Sequence, residues 1–125
     1  MIRIIETKKA PAAVGPYSQA IEVGNLIFTS GQLPIIPQTG DLISDNIEKA
    51  TQRSLENIKE ILEAAGSSLD KVVKVNIFIS DMSNFSKVNE VYAKYFTKNK
   101  PARSCVEVSK LPKDGIIEIE AIAKK

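Results

Sequence analysis

Between Asp45 and Ala65, small or apolar residues recur at Ile47, Ala50, Ser54 and Leu55, Ile58, Ile61 and Leu62, and Ala65. That spacing, near 3.6 residues, marks an amphipathic helix with one face to bury. Asp45 followed by Glu48 reads as a capping box, and Gly66 suits the helix stop. A second helix is expected from Asp81 or Ser83, with Phe85, Val88, Val91, Tyr92, Tyr95 and Phe96 on its buried stripe and Pro101 barring continuation. The rest of the patterned sequence alternates. AIEVGNLIFTS reads as a hairpin turning at Gly24-Asn25. In KVVKVNIFIS, Val73, Val75, Ile77 and Ile79 share a face opposite Lys74, Asn76, Phe78 and Ser80. Two strands, RSCVEVS and GIIEIEAIA, close the chain. Residues 31–45, rich in Gly and Pro, read as a surface loop.

Two helices cover one face of a sheet of about four to six strands, not both. The expected fold is therefore α/β (α+β), a two-layer domain of a mixed sheet with both helices on one face. At 125 residues it forms one domain, 1–125. The strand parity assigns the apolar alternates to the helix side and Arg103, Cys105, Glu107, Glu118, Glu120, Lys74 and Asn76 to the other. Phe78, Ile116 and Ile122 make that second face too apolar for plain solvent surface, so it is expected to meet other copies of the chain and to create sites between subunits.

The charge is nearly balanced, with 17 Lys and Arg against 15 Asp and Glu, and the signs are interspersed. A dedicated nucleic-acid surface usually shows as a basic stripe, so such a partner is not expected. No apolar run approaches the roughly 18 residues of a membrane span and the start lacks a signal-peptide core, so the expected location is the cytoplasm. One cysteine and no histidine exclude an internal disulfide, a zinc-ligand set, and the Cys/His and Ser/His pairs of most nucleophilic hydrolases. Any chemistry falls to carboxylates, tyrosine, backbone groups and arginine.

Arg103 and Glu118 are fifteen positions apart, both on the polar side of what read as the terminal strands. Strands lying side by side or across a subunit boundary would bring guanidinium and carboxylate to one cavity, although an ordinary interface ion pair has the same parity. Cys105 lacks a histidine to make it a thiolate, which favours a semi-buried residue whose backbone matters more than its sulfur. Tyr17 follows Gly15-Pro16 on a rigid turn, with a hydroxyl for a ligand or a ring for the rim of the core. Ser30-Gly31 ends the hairpin either as a close-approach site or as a simple strand exit. Asn89, one turn after Phe85, either caps a neighbouring loop or touches a ligand.

The blocks APAAVGPYSQAIEVGNLIFTSGQLP, SLENIKEILEAAG, DMSNFSKVNEVYAKYF and PARSCVEVSKLPKDGIIEIEAIA, in that order, resemble the RidA/YjgF reactive intermediate deaminases over nearly the whole chain. The resemblance implies a chorismate-mutase-like domain assembled as a homotrimer with three intersubunit clefts. It also implies a cofactor- and metal-independent hydrolase that converts 2-iminopropanoate and 2-iminobutanoate to 2-oxo acids and ammonia. In that reading Arg103 grips the substrate carboxylate and Glu118 handles the attacking water. Tyr17, Ser30, Gly31, Asn89 and the backbone of Cys105 line the cleft. Endoribonuclease or translation-inhibitor activity, and a non-catalytic trimer that binds 2-oxo acids, are the alternatives.

Overall fold

The computed structural model describes residues 1–125. The elements in chain order are β1 (Ile2–Ile5), β2 (Ala20–Val23), β3 (Leu26–Thr29), α1 (Ile47–Ala64), β4 (Val72–Ile79), α2 (Phe85–Tyr95), β5 (Ala102–Glu107) and β6 (Ile117–Lys124). They form one six-stranded sheet in the order β1-β2-β3-β6-β4-β5. All neighbours are antiparallel except β4 and β5, which run parallel through the crossover helix α2. No helix is long and apolar enough to cross a membrane.

α1 forms where its period predicts, and its cap lies one residue later than the sequence suggests. Asn46 is extended, and its Oδ1 accepts from the Lys49 N–H at 2.9 Å, so Asp45 and Glu48 form no capping box. Glu48 stays in the first turn, where a negative charge complements the helix dipole. Gly66, at φ +82°, ends the helix: its N–H donates to Glu63 O at 3.0 Å, and the Ser67 N–H donates to Leu62 O at 2.9 Å. α1 packs on α2, β6 and β3, burying Leu55, Ile58, Ile61 and Leu62 against Ile27, Val75, Ile77, Ile79, Ile117 and Ile119.

Three expectations need correction. A bulge between Val72 and Lys74 turns Val72 into the core and leaves Val73 48% exposed. The alternation in β5 is real, but its faces are the reverse of those assigned. Arg103, Cys105 and Glu107 stand opposite Val75, Ile77 and Ile79 on the helix side, while Val106 stands opposite Phe78 on the open side and is 45% exposed. The reason is position: β5 is an edge strand, and apolar alternates signal a core only where a second layer covers them. Third, β4 lies between β5 and β6, so the strands of Arg103 and Glu118 are not neighbours.

Ile116, expected on the open face, precedes β6 and packs against the core, while the remaining parity of β4 and β6 holds. Lys74, Asn76, Phe78, Glu118, Glu120 and Ile122 share the open face. Ile4 at 64% exposed and Phe28 at 39% extend it with apolar surface. β1 has no clear sequence signal because only Ile5 of its four residues is buried; its backbone pairing and an Arg3–Glu22 ion pair of 2.7 Å hold it.

Candidate functional site

The predicted site residues separate into two groups within one chain. Tyr17, Ser30, Gly31 and Glu118 come together; Arg103, Asn89 and Cys105 come together elsewhere.

The first group lines a cleft of about 720 Å³. Its floor is polar, with Ser30, Gly31, Gln32, Glu118 and Glu120, and its walls carry Val14, Leu33, Ile35, Pro37 and Pro112. β6 delivers Glu118 because Ile117 and Ile119 are drawn into the core, which turns the residue between them outward. Gly31 lets the carboxyl lie close over the backbone: a Cβ there would sit 2.7 Å from Glu118 Cδ and 2.9 Å from Oε1. The Gln32 N–H donates to Ile119 O at 2.7 Å, and the Ile119 N–H donates back to Gln32 O at 3.1 Å, locking this floor to β6. Ser30 Oγ donates to Ser18 O at 2.6 Å, leaving its lone pairs to accept. Tyr17 stands at the mouth, 51% exposed.

Burial raises the proton affinity of Glu118, and the charge of Glu120 adds to it. This is the behaviour wanted of a group that takes a proton and gives it back. Glu120, which strand parity places on the same face as Glu118, also lines the cleft, and its Oε2 accepts from Asn76 Nδ2 at 3.0 Å. Its two-residue spacing from Glu118 was the available signal. Lys113 lines the cleft, and it and the following Asp114 adopt left-handed backbone at φ 59° and 55°, a conformation costing non-glycine residues roughly 1–2 kcal/mol each. Residue parity carries no sign of such a turn.

The second group lies at the free edge of the sheet. Arg103 Nη1 donates to Asn89 Oδ1 at 2.7 Å. The guanidinium carbon lies 4.8 Å from the Tyr92 ring centre and 5.6 Å from that of Phe85. Tyr92 was assigned to the buried stripe; one helical turn from Asn89, it is the arginine's stacking partner as well. Four of Arg103's five N–H donors find no acceptor in the chain, and none of the four ion pairs includes it. Cys105 is half-buried against the core, and burial pushes its thiol pKa up, opposed by Arg103, so the sulfur stays protonated. Its backbone is different. The Val108 N–H bonds inward to Ile79 O at 2.9 Å, and strand alternation then turns the N–H groups of Arg103, Cys105 and Glu107 toward the unpaired edge. A guanidinium beside a free backbone N–H is a carboxylate-binding set.

The family model for endoribonuclease L-PSP matches residues 7–125. A RutC family protein of Pyrococcus horikoshii is 57% identical over 125 residues, spanning 100% of this chain and 99% of that one. TdcF of Escherichia coli, provisionally named a reactive intermediate deaminase, is 48% identical over 126 residues, spanning 98% and 97%. Among solved structures, one from Thermotoga maritima, provisionally described as an endoribonuclease, superposes with a TM-score of 0.96 at 58% identity, covering 98% of this chain and 97% of the other. E. coli TdcF with bound serine superposes with a TM-score of 0.95 at 46% identity, covering 98% of each chain.

Proposed function

The chain belongs to the endoribonuclease L-PSP family, also called YjgF/RidA, and on that premise we propose that it hydrolyses 2-imino acids in clefts shared between copies of itself. One observation carries the reading: Arg103 is half-buried and charged, with no acid of its own chain to answer it. A guanidinium keeps its charge at any cellular pH, and one withdrawn from water needs an anion. E. coli TdcF is known with serine bound, and a carboxylate such as serine carries is an anion that suits this seat.

The cleft with Glu118 and the edge with Arg103 are complementary halves on opposite sides of β4. In the proposed homotrimer, each edge strand docks against the open, partly apolar sheet face of a neighbour. Arg103 and the Cys105 N–H of one copy then close the cleft of Glu118, Tyr17, Ser30 and Gly31 in the next. This arrangement also covers an exposed strand edge.

The reaction asks only for water and proton control, because the carbon of a protonated imine is already electrophilic. Arg103 binds the substrate carboxylate and fixes the imine carbon relative to Glu118. Glu118 takes a proton from water as the oxygen attacks, forming a carbinolamine. It then returns the proton to nitrogen as the C–N bond breaks, and the carbinolamine hydroxyl proton passes to the departing ammonia, releasing a 2-oxo acid and ammonium. Acid/base assistance of this kind contributes about 10² to 10⁴ in rate. The raised proton affinity of Glu118 suits both transfers.

The test is complementation. Arg103→Ala and Glu118→Gln are each expected to be inactive on 2-iminopropanoate generated in situ by an amino acid oxidase, with Glu118→Gln still binding pyruvate. Unfolded and refolded together in equal amounts, they should recover about one quarter of wild-type turnover, since random mixing rebuilds about that share of sites across boundaries. No recovery, with both variants folded and trimeric, would refute the shared site. RNA cleavage abolished by Glu118→Gln would instead support the activity in the family's older name. Pyruvate binding without imine turnover would make the protein a binding module.

A further inference from the structure

The two walls of the Glu118 cleft lack regular structure, and each is tied from behind by one buried side-chain amide. Asn57, on α1 and fully buried, donates from Nδ2 to Ile35 O at 3.0 Å and to Leu33 O at 3.3 Å. Its Oδ1 accepts from Arg53 Nη2 at 3.0 Å and Nε at 3.2 Å. The arginine donors therefore hold the amide oxygen on their side and turn the NH₂ toward the loop. On the opposite wall Gln19, 2% exposed, accepts from the Thr7 N–H at 2.7 Å. Its Nε2 donates to Thr7 O at 3.0 Å and Pro11 O at 2.8 Å. Neither amide touches the cleft, yet the segments they hold supply Pro11, Tyr17, Leu33 and Ile35 to it.

The Leu33 wall closes on itself through Ile36 N–H to Asp41 O and Ile43 N–H to Pro34 O, both at 2.9 Å, but Asn57 is what ties it to α1 and Gln19 is what ties the opposite wall back, so these side chains decide where the walls lie. The floor has its own anchor in the paired bonds between Gln32 and Ile119. Releasing Asn57 therefore frees the wall without moving the carboxylate. Leu33 packs close on Gly115 beside the rim, its Cδ2 lying 2.9 Å from the position a Cβ there would take.

We propose that Asn57 and Gln19 are positioning residues that set the width of the cleft from outside it, and that Asn57 thereby limits the length of apolar side chain a substrate can carry. The limit on side-chain length rests on the imine reading above; the positioning does not.

Asn57→Asp separates the two ends of the staple. It matches the native side chain in shape and keeps the acceptor for Arg53, but replaces the donor facing the loop carbonyls by an oxygen. Hydrogen exchange should show the amides of Ile35, Ile36 and Ile43 losing about tenfold or more in protection while α1 and β6 are unchanged. Asn57→Ala should do the same, and provides the measurement if the aspartate variant fails to fold. Gln19→Glu keeps the acceptor for the Thr7 N–H but removes the donors to Thr7 O and Pro11 O, and should loosen the wall around Thr7 and Pro11 while Ile35, Ile36 and Ile43 stay protected. In kinetics, Asn57→Asp should change kcat on 2-iminopropanoate by less than about threefold, while KM for an imine with a long aliphatic side chain shifts by about tenfold. Unchanged protection at Ile35, Ile36 and Ile43, or a uniform loss across α1 and the sheet, would overturn the positioning role. Loosened walls with no change in KM ratio would overturn the specificity role alone. A wild type that turns over no imine would remove the substrate reading, leaving exchange to decide the positioning.

Discussion

Replacing Gly31 by alanine tests the close approach of Glu118 to the cleft floor. Gly31 does not occupy the left-handed region, so alanine incurs no backbone penalty there. The added Cβ would lie 2.7 Å from Glu118 Cδ, 2.9 Å from Oε1 and 3.0 Å from Cγ. Ordinary carbon contacts begin near 3.5 Å, so the carboxyl must retreat by roughly 0.8 Å or more. The obstructed atoms are the far end of a flexible side chain, and a strained rotamer costs about 0.5–1.5 kcal/mol. Loss of unfolded-state freedom at Gly31 offsets about 0.4–1 kcal/mol of that, so stability should change by less than about 1 kcal/mol. Catalysis should suffer far more. A displacement near 1 Å costs about 10² in rate, equivalent to about 2.7 kcal/mol of barrier. Timed ammonia release from imines made in situ would measure kcat, thermal melting would measure stability, and calorimetry with pyruvate would report the carboxylate grip, expected within about threefold of wild type. Wild-type kcat in a folded Gly31→Ala protein would refute the role given to Glu118. A rate loss matched by a collapse in stability would refute the separation of the two effects.

Two further predictions follow from charge. The proton affinity of Glu118 is raised in the fold, so between its ordinary and raised pKa the native state holds a proton that the unfolded chain has released, and stability falls as pH rises through the folded value. Glu118→Gln removes that loss and should unfold at or above the wild-type urea midpoint at neutral pH, the difference vanishing below about pH 4. A lower midpoint at neutral pH would make the carboxylate structural. Glu22 has the opposite sign: hydrogen bonds from Arg3 and then Lys125 hold its carboxyl below the usual range, so its stabilisation is present above the ordinary value and is lost as pH falls through the folded one. Glu22→Gln should flatten the acid limb of the stability curve, and an unchanged limb would contradict the pairing.

Much of this was legible in the residues. The helical period of α1, the Gly24-Asn25 turn and the stop at Gly66 are local properties, and each appears where the pattern puts it. The cap moved by one residue because Asn46 and Asp45 are both competent acceptors and only the path of the entering chain chooses between them. The bulge at Val73 was invisible because a one-residue slip leaves the same letters in the run. Tyr17, Ser30, Gly31 and Glu118 were named from sequence and share a cleft. The stapling amides were not, since Asn57 and Gln19 act on backbone 22 and 12 positions away in sequence, and no short-range period reports that.

By itself the sequence determined which residues alternate, which recur every turn, and that one sheet face would lack a helix. Side-chain direction follows from backbone geometry within a few residues, so these are short-range facts. Only the tertiary structure decided which way each alternation faces. It put Arg103 beneath α2 and Glu118 on the open side, because the order of strands and the reach of the helix layer settle what is covered. Val106 looks like a core residue in the sequence, yet at the sheet edge it points away from the core, and the same reversal sets Arg103 on the helix side with no ion pair inside its own chain.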